Sequence, residues 1–198
     1  MLSKQEKGLL RVFFYANWQY ISKLGPIFAL TFLLFIYSIF MGYSLGAQIK
    51  PQSFEGVLSN IPDPTVSSSF EMFTAILFNN VIASFIFMAS GLFAGIPPLM
   101  FMAFNGFFVG YVAYNAAQVQ GLGFVFATIL PHGIIEIPAI ILSASMGVGF
   151  GYQLIHKLMH REGLQQYVVE SLNVFIKRII PMLVLAAGIE TALIYMLV

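Results

Sequence analysis

MFTAILFNNVIASFIFMASGLFAGIPPLMFMAFNGFFVGYVAYNAAQ, residues 72–118, carries no Asp, Glu, Lys or Arg. A membrane crossing needs about 20 apolar residues at about 1.5 Å rise each, so this run is long enough for two. The GIPP step at Gly95–Pro98 supplies a tight turn near its middle, because glycine followed by paired proline breaks a continuing helix. The stretch therefore reads as an antiparallel hairpin of two spans, 73–95 and 97–118.

The same logic extends outward in both directions. Between Lys23 and Lys50 no charge interrupts the chain, and residues 26–47 form a first span. Residues 48–71, with Lys50, Pro51, Glu55, Pro62, Asp63, Pro64 and several serines, form a polar, proline-broken loop. Residues 124–155 exceed one crossing, and Pro131 and Gly133 interrupt them, so a short leading piece at 124–130 is expected before a span at 131–154. A last span occupies 179–198. Two interfacial helices complete the reading. Residues 1–23 mix Lys4, Lys7, Arg11 and Lys23 with Leu, Phe and Trp18, and residues 156–178 are polar with Leu164, Val168, Leu172 and Phe175 recurring every three or four residues. The fold class expected is all-α, a polytopic membrane helical bundle of about five spans forming one membrane domain over 1–198.

Composition supports this class and excludes others. The chain is 59% hydrophobic and 9% charged, too apolar for a soluble domain of 198 residues. Nine basic residues and a net charge of +1 give no stripe for nucleic acid. With no cysteine there is no disulfide framework, thiolate metal site or thiol nucleophile. The first apolar segment is too long for a signal-peptide core and is expected to remain as an anchor. Lys4, Lys7, Arg11 and Lys23 share a side with Lys157, Arg161, Lys177 and Arg178 if there are five spans, leaving only Lys50 opposite. The positive-inside rule then places the protein in the plasma membrane with a cytoplasmic N-terminus and an external C-terminus.

Polar residues at bilayer depth mark the candidate site. LPHGIIEIPA, Leu130–Ala139, puts His132 and Glu136 one helical turn apart on one face. Ionisable groups in hydrocarbon cost roughly 2.5–3.5 kcal/mol on insertion scales and usually face a partner or a wet cavity. Asn79 and Asn80, about a third of the way into their span, and Asn105 near the centre of the next could meet that pair. The site expected lies between the second, third and fourth spans, with Glu136 oriented by His132 and the amides. The plainer reading is that the asparagines hold helices together by interhelical hydrogen bonds. Glu190, near the centre of the last span, is the most isolated charge and a second intramembrane acid. Glycines at four-residue spacing (Gly42 and Gly46, Gly91 and Gly95, Gly106 and Gly110, Gly147 and Gly151) offer surfaces for close helix packing, although 17 glycines produce some such pairs by chance.

Signs of catalysis are missing. His156 and His160 have zinc-protease spacing, but Lys157 stands where the acid belongs, and no phosphate-cradling loop or serine elbow is present. No catalytic residue, metal site or cofactor is expected.

The paired asparagines, the GIPP turn, the FNG step at Phe104–Gly106 and LPHGIIEIPA running into SASMGVGFG together resemble the stage II sporulation protein M family of membrane proteins, with specific motifs over about 70–155. That resemblance implies five spans and a role like that of the namesake, which scaffolds a cell-wall-degrading complex with two partner proteins during engulfment without being the hydrolase. The family also reaches organisms that form no spores. Three functions follow as expectations: a non-enzymatic scaffold or partner-binding component; a small ion- or proton-coupled carrier using Glu136, for which an interrupted helix is the pointer; and, with least support, an intramembrane hydrolase. Expected partners are membrane lipid, other membrane or envelope proteins and a second copy of the chain. A continuous polar cavity reaching Glu136 is expected of the carrier, and a closed bundle of the scaffold.

Overall fold

In hydrocarbon every backbone N–H and C=O must find its partner within the chain, which leaves an isolated apolar segment no choice but a helix. The computed structural model describes residues 18–49, 66–160 and 164–197, and only the backbone of residues 128–132, 156–160, 164 and 197. Its elements are α1 (Gly25–Leu45), α2 (Ser69–Ala89), α3 (Ile96–Gln120), α4 (Leu122–His160), α5 (Leu164–Val174) and α6 (Ile180–Leu197), with no strand among the described residues. Five helical stretches are long and apolar enough to cross a membrane: Gly25–Gln48, Ser69–Leu92, Ile96–Gln120, Gly133–Ile155 and Gln165–Met196. The expected helix over 1–23 lies largely outside the described residues, as do residues 50–65 of the polar loop.

Local chemistry sets the helix ends. Ser68 caps α2 through a reciprocal box, its hydroxyl accepting from the Glu71 N–H while the Ser68 N–H donates to Glu71 Oε2 at 2.8 Å. At the other end of α2 the chain turns through Ala94 and Gly95, both at positive φ, before α3 starts with Pro in its first turn. Proline is tolerated there because the first N–H groups of a helix have no partner in any case.

Packing then follows the glycines, which form two reciprocal seams. Gly42 of α1 lies against the Phe107 carbonyl of α3, while Gly106 and Gly110 of α3 lie against the carbonyls of Phe35 and Ile39 of α1. Rising residue numbers match along the contact, so α1 and α3 are parallel. Gly46 takes the Tyr114 ring, which also meets Tyr43 edge-on at 5.6 Å. In the second seam Gly91 abuts the Gly147 carbonyl, Gly147 abuts the Phe87 carbonyl and Gly151 abuts the Gly95 backbone, making α2 and α4 parallel as well. A Cβ at Gly42, Gly91, Gly110, Gly147 or Gly151 would overlap backbone atoms of the partner helix. All four glycine pairs are therefore contact surfaces inside the bundle.

Helix α4 is the hub: 56% of its spanning window is buried, against 33% or less for the other four. Ala139, Ser143, Ala144, Ser145 and Met146 are fully enclosed. The serines return their hydroxyls to their own helix, Ser143 to the Ala139 carbonyl at 3.0 Å and Ser145 to the Ile141 carbonyl at 2.6 Å, so no polar hydrogen faces hydrocarbon. Helix α6 runs antiparallel to α2, with Tyr195 donating to the Ser67 carbonyl at one end and Phe175 meeting Phe85 at 5.7 Å towards the other.

Two expectations are corrected. The break before Pro131 does not occur, because α4 runs unbroken from Leu122 to His160 through Pro131 and Pro138. A proline removes only one helical hydrogen bond, and in hydrocarbon the remaining backbone groups still need partners within the chain, which favours continuing the helix over ending it. The boundary expected at 178/179 is likewise absent: a π turn at Phe175–Ile179 joins α5 to α6 into one long helix. Pro181 explains the π turn, since its missing N–H and its ring favour a widened turn just before it. Ser171, Val174 and Phe175 are buried, so the end of the expected surface helix belongs to the core.

Candidate functional site

Glu136 lies on the spanning part of α4, a helix that packs against α1, α2, α3 and α6. From α2, the Asn80 amide donates to the Glu136 carboxyl. Asn80 is itself buried, and the Asn79 Nδ2 donates to its Oδ1 at 3.4 Å. Asn79, however, is exposed on the outer face of α2, so it supports the cluster from outside. Asn80 is the twelfth residue of the 24-residue span Ser69–Leu92, which places this amide deeper than the sequence-based span suggests, at the middle of the α2 crossing.

Glu190 overturns its reading as an isolated charge. It lies close enough to Glu136 for the two carboxyl groups to interact electrostatically. Helical spacing showed its depth, but nothing in a sequence separation of more than fifty residues revealed the acid it faces. Two hydroxyls on the same helices, Ser84 one turn along α2 from Asn80 and Thr191 following Glu190 on α6, are buried without a hydrogen-bond partner among the described residues.

On its other flank Glu136 borders a cavity of about 60 Å³, together with Asn105. Phe35, Met102, Val109 and Ile140 supply apolar walls. Such a volume holds on the order of a few waters and is far below the 300–1,000 Å³ of ordinary ligand pockets. The structure thus brings Glu136 together with Asn80 and Glu190, sets Asn105 across a small cavity and leaves Asn79 at the periphery. The side chain of His132 lies outside the described residues. No group of three or more His, Asp or Glu suited to a metal ion forms among the described residues.

This arrangement of a central helix running from LPHGIIEIPA into a small-residue seam lies within residues 29–193, which match the model of the family described as Stage II sporulation protein M. The chain belongs to that family. Two uncharacterized proteins of Methanocaldococcus jannaschii are similar to it. One is 32% identical over 171 residues, covering 79% of this chain and 75% of its own length. The other is 32% identical over 122 residues, covering 60% and 68%. No solved structure matches. The family match contains every residue of the Glu136 cluster and both glycine seams, and it begins after Tyr20 and Lys23.

Those two residues belong to a feature the sequence reading missed. A second cavity, of about 450 Å³, opens where α1 begins and α4 ends, lined by Tyr20, Lys23, Gln153, Gln166, Tyr167 and Glu170 among others. Its lining comes from three segments spread along about 150 residues, and no local motif joins them.

Proposed function

We propose that this member of the stage II sporulation protein M family is a non-enzymatic scaffold or partner-binding component of the plasma membrane. In this reading its N-terminus is cytoplasmic, its C-terminus is external and its bundle serves as a rigid platform for other membrane or envelope proteins. The observation that carries the reading is the small size of the space beside Glu136. The unbroken α4 passes the acid through a junction whose cavity is only about 60 Å³. Glycine seams on both sides support it too, since backbones in contact have little room to slide, whereas alternating access needs one part of the bundle to rock against another. The role of Glu136 in this reading is to tie α4 to α2 through its hydrogen bond with Asn80.

The experiment is Glu136→Gln, scored for protein abundance, for co-purifying proteins from native membranes and for proton or cation flux in proteoliposomes. A scaffold loses abundance and partner recovery together or keeps both, and shows no flux in either form. Orientation is tested separately by Ser53→Cys and Gly163→Cys in this cysteine-free chain: impermeant thiol reagent added to whole cells should label the first and spare the second.

One observation favours a second reading, a proton- or cation-coupled carrier. Two carboxyl groups and an amide approach one another at bilayer depth, and such groups mark ion pathways in many membrane proteins. Flux through the natural protein that Glu136→Gln abolishes while leaving the bundle folded would establish the carrier instead.

A further inference from the structure

The second cavity carries an inference independent of the Glu136 cluster. It lies at one end of the bundle, and three helices agree on its level. Lys23 precedes the first span by two residues, Gln153 comes two residues before the end of the fourth, and Gln166 and Glu170 sit at the start of the fifth. That fifth span is 32 residues long, about 48 Å at 1.5 Å per residue, so its first turns reach beyond a hydrocarbon core of about 30 Å. The cavity therefore sits at the level of lipid headgroups. At about 450 Å³ it falls within the range of small-molecule sites.

Its chemistry is two-signed. Lys23 supplies a cation and Glu170 an anion, and no ion pair joins them. Gln166 Nε2 donates to Glu170 Oε1 at 3.0 Å and fixes the carboxylate. The back wall is rigid. Tyr20 bonds Ser171 at 2.6 Å, Tyr167 donates to the Met146 carbonyl at 2.9 Å, and the two rings meet edge-on at 5.2 Å. Gly149 leaves the room that the Tyr167 hydroxyl occupies. Burial raises the Tyr20 hydroxyl above the usual phenol range, so that wall stays neutral. Leu24 and Ile27 continue the lining towards the membrane.

A ligand with one sign of charge would be attracted by one of these two residues and repelled by the other. A ligand with both signs and an apolar tail satisfies every wall. We propose that the cavity binds the headgroup of a zwitterionic phospholipid, its phosphate at Lys23, its ammonium at Glu170 and the base of its tails along Leu24 and Ile27.

Native mass spectrometry of the purified protein, given equal phosphatidylethanolamine and phosphatidylglycerol after delipidation, tests this. The expected result is one phosphatidylethanolamine retained at least about fivefold over phosphatidylglycerol. Glu170→Lys should reverse the preference, and Lys23→Glu should lose retention of both. Circular dichroism and gel-filtration profiles establish that each variant is folded. Soluble phosphoethanolamine without tails should fail to displace the lipid. Equal retention of the two lipids, a preference that neither folded variant alters, or displacement by the free headgroup at matching concentration would each overturn the proposal.

Discussion

The glycine seams and the Glu136 junction are built from opposite materials. Along the seams, α1 with α3 and α2 with α4 bring backbone against backbone at most of the glycines, and their attraction is van der Waals contact summed over many atoms. At the junction Asn80 of α2 is hydrogen-bonded to Glu136 of α4, a second acid, Glu190, comes within electrostatic range, and a small cavity lies beside Glu136. The difference separates two tasks. Seams set which helices are neighbours and leave no slack, whereas the junction adds polar ties of modest strength at a place where space remains.

Adding one carbon to a seam gives the largest expected effect. Gly147→Ala drives a Cβ into the Phe87 carbonyl and the Pro98 ring, and should lower stability by about 2–3 kcal/mol in an SDS-unfolding titration of the detergent-solubilised protein. Gly188→Ala is its control. Nothing lies within 4 Å of that position, so stability should stay within about 0.5 kcal/mol. Equal effects at the two sites would remove the distinction between seam and surface glycines.

Breaking the junction comes next in size. Asn80→Leu removes the donor to Glu136 and should cost about 1–2 kcal/mol by the same titration. Glu136→Gln keeps an acceptor for Asn80 and should cost less, under about 1 kcal/mol. A double-mutant cycle of Asn80→Leu with Glu136→Leu should report coupling near 0.6 kcal/mol and below about 1.7, the range of hydrogen bonds between membrane helices. The smallest effect belongs to Asn79→Leu. Asn79 is exposed and makes only a 3.4 Å bond to Asn80, so a change beyond about 0.5 kcal/mol would show that the outer amide matters more than its position suggests.

How much of this the sequence made legible depends on the range over which each signal acts. The hairpin of α2 and α3 was plain, because charge-free length and the GIPP turn are local facts. The glycine pairs were visible as spacing, yet spacing names no partner: that Gly91 meets Gly147, and that Gly106 lies against Phe35, is decided by the assembled bundle. Pro131 misled for the same reason. Its local tendency is to end a helix, yet α4 continues through it. The meeting of Glu136 with Glu190 and the cavity between Lys23 and Glu170 join residues far apart in the chain, so each residue read alone was a lone charge. The joining of α5 to α6 was readable in part, since Pro181 signals a distorted turn but does not say that the helix continues through it.

Closure of the bundle around Glu136 is what divides a platform from a conduit, and thiol labelling of Glu136→Cys reads it directly in a chain that has no other cysteine. In sealed membranes small charged methanethiosulfonate reagents applied from either side should leave this thiol unmodified while modifying Ser53→Cys from one side within minutes. Rapid modification of the folded Glu136→Cys protein from one side would mean that water reaches the acid along an open path, and would contradict the closed platform described here.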